Sequence, residues 1–136
     1  AAGGEALAVY VDVSERAKVD AAMQQVRDGL GPILVLVNNA GYSTTTSFMK
    51  TTDELWDKVI AVNLNSVFYC CQAALPDMLT AKWGRIVNIS SSSTLGGQPF
   101  RVHYVAARSG AIVLTKALAL AERFRLIPVS GICPTC

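Results

Sequence analysis

Charge, histidine and long apolar runs are all scarce in this chain. Lys and Arg number 12 against 10 Asp and Glu among 136 residues, leaving a net +2. So small and dispersed a charge argues against nucleic acid or an anionic membrane surface as partner. The unbroken apolar stretches fall far short of the roughly 20 residues that a bilayer span requires. No basic-then-apolar leader opens the sequence, so the expected setting is cytoplasmic, with no membrane attachment. The single histidine, His103, reads as a polar residue at a helix start and carries no ligand role. The four cysteines do not suggest a disulfide framework: Cys70 and Cys71 are neighbours on a predicted helix, point to different faces and read as small core residues. Cys133 and Cys136 form a C-x-x-C with no second cysteine pair, so no metal site is expected.

What is present is apolar content, at 51% of residues, enough for one buried core in one domain, residues 1–136. Strands and helices alternate, which points to a parallel sheet covered by helices. Residues 7–13 read as a strand ending about Asp12. Ser14 is placed to cap a helix that carries Ala17, Ala21, Ala22 and Val26 as far as Gly29, with Gly31 and Pro32 ending it. Residues 33–37 are continuously apolar, as in a parallel strand buried on both faces, and lead into Asn38, Asn39, Ala40 and Gly41. Thr51 and Glu54 have capping-box spacing before a helix with Leu55, Trp56, Val59, Ile60 and Val62. A second helix is predicted over about 66–81, kinked at Pro76. A strand from Ile86 into the serine run, a helix from Tyr104 to about Phe124 and a strand over 127–133 follow.

Tyr104 and Arg108 lie 13 and 17 residues beyond Ser91. Phenol and cation fall one turn apart on one helical face. A hydroxyl, a phenol and a permanent cation that can meet at one carbonyl suggest carbonyl–alcohol redox chemistry on a small molecule.

Asn38-Asn39-Ala40-Gly41, Asn63 within Val-Asn-Leu-Asn-Ser-Val-Phe, the run Gly84 to Ser91 and Tyr104 with a basic residue four positions on resemble, in order and spacing, the short-chain dehydrogenase/reductase family. The resemblance runs from about Leu7 to Pro134. It is greatest to 3-oxoacyl-thioester reductases and related polyol and steroid dehydrogenases. It implies an α/β, Rossmann-like, doubly wound parallel sheet, here incomplete, in a three-layer α/β/α arrangement. It also implies NAD or NADP as cofactor, the choice left open, and a homodimer or homotetramer built through the 66–81 and Tyr104 helices. Tyr104 would be the general acid or base. A free phenol ionises near pH ~10, and a neighbouring cation favours the phenolate. Ser91 would hydrogen-bond the substrate oxygen, and Asn63 would hold a water relaying protons to the basic residue. Asn39, Ala40 and Gly41 would pass beside the adenosine ribose, and Asp12 and Val13 would contact the adenine. Taken alone, Asp12 reads rather as the start of a helix entrance and Ser93 as part of an ordinary polar turn, whereas beside Tyr104 the functional reading is favoured for Asn39, Asn63 and Ser91. Tyr104 and Arg108 would also face the cofactor.

The sequence departs from the family pattern at Arg108, where lysine is usual, at Leu34 for an aspartate, and at Leu126 and Thr135 for glycines. Arginine keeps the charge but presents a larger planar fork. Gly3 and Gly4 precede a strand without following one, so the glycine-rich pyrophosphate turn is missing. The resemblance places that turn, the first two strands and the loop that closes over substrate outside this sequence. The strand over 7–13 is expected to shift inward and pair beside residues 33–37, giving the order 7–13, 33–37, Ile86 strand, 127–133. Two function classes stand: an NAD(P)-dependent oxidoreductase represented by its catalytic portion, and a non-catalytic assembly module that self-associates through its apolar helices. The chain alone is expected to bind nicotinamide weakly or not at all.

Overall fold

Helical and extended stretches alternate as the apolar periodicity requires. A computed structural model describes residues 3–121 and 127–134. Helix α1 spans Arg16–Leu30 and buries Val19. Ser14 does not cap it: its amide and hydroxyl both donate to the Asp12 carboxylate, at 3.0 and 2.7 Å. Those bonds turn the Ser14 hydroxyl toward Asp12 and away from the helix amides, and Glu15 stands at the cap position without a side-chain bond. The helix ends where expected, at Gly31, whose φ of 87° suits glycine and whose amide donates to the Arg27 carbonyl.

Among the described residues three parallel strands follow: β1 over Val35–Asn38, β2 over Arg85–Ile89 and β3 over Val129–Ile132, in the order β1-β2-β3. The expected four-stranded order is incorrect. Residues 7–13 adopt no regular structure, and a groove of about 330 Å³ separates them from β1, with Leu7, Val9, Val11 and Val13 facing Leu36 and Val37. The reason lies in α1. Arg27 of α1 pairs with Asp77 at 2.9 Å and donates to the Ala73 carbonyl, while Asp77 also accepts from the Ile33 amide. A chain entering so firmly seated a helix cannot slide over to β1. Burial also differs from expectation: Leu36 and Asn38 are buried, whereas Val35 and Val37 are 54% and 55% exposed. β1 is covered on one face, not on both, and alternates accordingly.

Thr52, not Thr51, caps helix α2 (Asp53–Ile60), its hydroxyl accepting from the Leu55 amide at 3.3 Å. Thr51 instead donates to the Ser47 carbonyl. The two helices expected here form one run of 29 residues, Asp53–Ala81, in which a π turn at Ala61–Asn65 joins α2 to α3 (Ser66–Ala81). The run is long and apolar enough to cross a bilayer by length and composition. Its buried residues Val67, Cys71, Ala74, Leu75 and Met78 belong to the same core as Val19, Leu36 and Ile86, which is how a core helix behaves. Pro76 lies inside α3.

A four-residue helix, α4 (Ser93–Gly96), which the sequence pattern does not suggest, precedes α5 (Val102–Leu120). α5 starts two residues ahead of Tyr104, and its expected end at Phe124 lies outside the described residues, as do Leu126 and Thr135. β1 and β2 are in register with Asn38 opposite Asn88. Asn38 donates to Asn88 at 2.8 Å, and Asn88 donates to Thr115 of α5 at 2.8 Å. This buried chain ties both strands to α5 with its polar groups satisfied.

Candidate active site

The C-terminal ends of parallel strands are where open α/β sheets bind ligands, because the chain turns outward there toward the following helices. At the end of β1, Asn39, Ala40 and Gly41 are exposed. At the end of β2, Ser91 is half-buried, its hydroxyl 2.9 Å from that of Ser93, and it accepts from the Ser93 amide. Its carbonyl accepts from the Thr94 hydroxyl at 2.7 Å, so Ser91 is locked into the start of α4. Tyr104 is half-buried on the first turn of α5. Its hydroxyl makes no hydrogen bond among the described residues and is free to meet a ligand.

Arg108 is 5% exposed. Its Cζ lies 5.6 Å from the Tyr104 ring centroid, within cation–π range. Nη1 donates to the Ile89 carbonyl at 2.7 Å and Nη2 to the Ala40 carbonyl at 3.3 Å. Its Nε is buried without a partner. Asn63 is fully buried in the π turn. Both its amide hydrogens are committed, to the Tyr42 carbonyl at 2.7 Å and the Val59 carbonyl at 2.9 Å, while its oxygen accepts from the Tyr42 amide.

The expected site residues therefore gather unequally. Ala40, Gly41, Asn63, Tyr104 and Arg108 form one contiguous cluster. Ser91 approaches from the end of β2 but bonds to Ser93 rather than to Tyr104. Val13 lines the same groove as Asn39 and Ala40, whereas Asp12 is not among that groove's lining. The Ser14 hydroxyl and amide hold the Asp12 carboxyl below its ordinary range.

Burial pushes the Cys71 thiol up to about 12, so it stays protonated and is no nucleophile. Among the described residues no three His, Cys, Asp or Glu side chains gather as a metal site. Sequence reasoning missed Tyr42, whose backbone Asn63 holds from both its polar atoms. It also missed the surroundings of His103, which is 1% exposed, accepts from the Tyr104 amide at Nδ1 and leaves Nε2 without a partner. The repeated Asn at the ends of two apolar strands was the available signal for the Asn38–Asn88 contact.

Known proteins resemble this chain in sequence and in fold. The family model for short chain dehydrogenase matches residues 1–136. The chain is 37% identical to a meso-2,3-butanediol dehydrogenase from Serratia marcescens, covering 97% of this chain and 52% of that protein. It is 37% identical to a 3-oxoacyl-acyl-carrier-protein reductase from Staphylococcus aureus, covering 98% and 54%. A solved structure of a protein assigned as a short-chain alcohol dehydrogenase, from Sinorhizobium meliloti 1021, superposes with a TM-score of 0.88 at 34% identity, covering 93% of this chain and 50% of that one. The chain spans about half the length of the curated relatives it matches.

Proposed function

The chain belongs to the short-chain dehydrogenase family, and from that premise we propose that it is the catalytic portion of an oxidoreductase acting on a small carbonyl compound or secondary alcohol with NAD or NADP. The observation that carries this reading is Tyr104, its hydroxyl unbonded, beside the buried cation of Arg108 at the C-terminal edge of the sheet.

The described residues suit the sugar and nicotinamide end of such a cofactor, through the hydroxyls of Ser91 and Tyr104 and the exposed backbone of Asn39, Ala40 and Gly41. No glycine-rich turn follows a strand among the described residues, so they offer the pyrophosphate no cradle of amides. When bound, the cofactor supplies or accepts hydride at the carbonyl carbon. Tyr104 gives its proton to the carbonyl oxygen during reduction and takes it back during oxidation. Ser91 turns from Ser93 to donate to the same oxygen as negative charge grows there. Asn63 acts through the Tyr42 backbone it holds. Val13 borders the groove at the cofactor's far end, with Asp12 beside it in sequence. Cytoplasmic work as a homodimer or homotetramer belongs to the same reading.

The test is ketone-dependent oxidation of reduced nicotinamide cofactors by two proteins: this chain alone, and the chain joined to an upstream strand, glycine-rich turn and helix taken from a relative. The joined protein is expected to turn over, and Tyr104→Phe to lower its kcat by roughly 100- to 10,000-fold. The chain alone is expected to bind the cofactor weakly or not at all. Failure of the joined protein to turn over would favour a second reading, a non-catalytic assembly module. One observation favours that alternative: an apolar groove of about 410 Å³ between α3 and α5, lined by Phe68, Leu75, Leu114 and Leu118. Sedimentation of the same two proteins measures self-association directly.

A further inference from the structure

Arg108 is the departure from the family pattern that the structure explains most fully. Its two terminal nitrogens are spent on two backbone carbonyls from different strand ends, Ile89 after β2 and Ala40 after β1. Only a planar fork with separated donors can bond both without moving. The guanidinium is 5% exposed and lies against the Tyr104 ring.

Gly41 shows what this placement requires. Its φ lies outside the left-handed region, so alanine could adopt the same backbone. Yet a β-carbon there would run into Arg108 Nη2 and stand 3.2 Å from Asn63 Oδ1. The glycine makes room for the arginine. Asn63 grips the next residue, Tyr42, by both its backbone amide and its carbonyl. The Ala40–Gly41–Tyr42 backbone is thus pinned by Arg108 on one side and Asn63 on the other.

We propose that Arg108 is a positioning residue and not a cofactor ligand or proton carrier: it clasps the ends of β1 and β2, fixes the Ala40–Gly41 backbone beneath Tyr104, and requires glycine at position 41. The inference builds on the reading of Tyr104 as the acid–base group, but its test does not depend on turnover. A guanidinium whose terminal nitrogens are bound to two carbonyls is held in place beside the phenol and has no acceptor atom with which to relay a proton.

The experiment is a double-mutant cycle on the 136-residue chain, with urea unfolding as one readout and nuclear magnetic resonance of the arginine side chains as the other. Gly41→Ala is expected to raise the unfolding constant roughly ten- to hundredfold by displacing hydrogen bonds of a charged donor. In an Arg108→Lys background the same change should cost about threefold or less, because the obstruction has gone. In the unaltered chain the Arg108 Nη1 protons should exchange slowly with water and show scalar coupling to the Ile89 carbonyl carbon, a signature that Gly41→Ala abolishes. If Gly41→Ala fails to fold and Arg108→Lys restores folding, the clasp stands. Equal cost in both backgrounds, or a double variant that also fails to fold, overturns it. Absence of turnover by the joined protein, with the coupling intact in this chain, removes the catalytic reading and leaves the clasp.

Discussion

At the scale of single residues, side chains reach past their neighbours in sequence to partners that spacing alone does not reveal. Tyr104 and Arg108 were legible as a pair because four residues make one helical turn, whatever the fold around them. That Arg108 bonds Ile89 and Ala40 was not legible, since those carbonyls come from strand ends brought together only by the sheet. Cys71 shows how a residue read simply as core has a measurable consequence. Its unfolded thiol ionises at its ordinary value of 9.0, whereas the folded one keeps its proton up to about 12. The folded state therefore binds the proton more tightly. The resulting stabilisation is fully present below pH 9 and is lost as pH rises from 9 toward about 12. The loss approaches about 1.4 kcal/mol per pH unit. Urea unfolding of the chain and of Cys71→Ala at pH 8 and pH 10 should show a steeper fall for the unaltered chain, and equal falls would contradict it.

Elements were read from the sequence more faithfully in their middles than at their ends. The helical period located α1, α2, α3 and α5, and apolar runs located β1, β2 and β3, because burial on a defined face leaves a pattern in sequence. The ends depend on competition among single hydrogen bonds: Asp12 draws Ser14 away from α1, and Thr52 wins the cap from Thr51. The π turn was hidden, and so was the hold that Asn63 within it has on Tyr42, which is 21 residues away in sequence. Residues 7–13 carry a strand-like alternation but form no strand, since suitable side chains alone do not make one without a hydrogen-bonded ladder to a neighbour. The end of α3 offers a clean test. Lys82 takes a left-handed conformation at φ 53°, while its amide donates to the Leu79 carbonyl and that of Trp83 to the Met78 carbonyl. This is a Schellman ending with lysine where glycine is favoured. Lys82→Gly should raise stability by about 0.5–1 kcal/mol, measured by thermal unfolding. A loss would mean that the lysine side chain contributes more than its backbone costs.

For the whole molecule, the main consequence of the uncovered face of β1 is exposed apolar surface. Val35 and Val37 stand more than half exposed on the uncovered side of β1, next to the groove that residues 7–13 leave open. An unpaired edge with apolar residues attracts other chains. Replacing both valines by threonine keeps their β-branching and removes apolar surface. Light scattering from concentrated solutions should fall, with unfolding free energy changed by less than about 0.5 kcal/mol per site. Unchanged scattering would assign association to the α3–α5 groove instead. The buried chain from Asn38 through Asn88 to Thr115 bears on folding in a further way. A slip of β1 past β2 by one residue would turn Asn38 to the opposite face and bury a valine in its place. Asn88 would then lose its partner in a dry interior, at a cost of about 1–3 kcal/mol. A purely apolar pair of strands could tolerate several alignments of similar energy. The amides single out one, so a polar pair in the core fixes the alignment that the apolar side chains leave open.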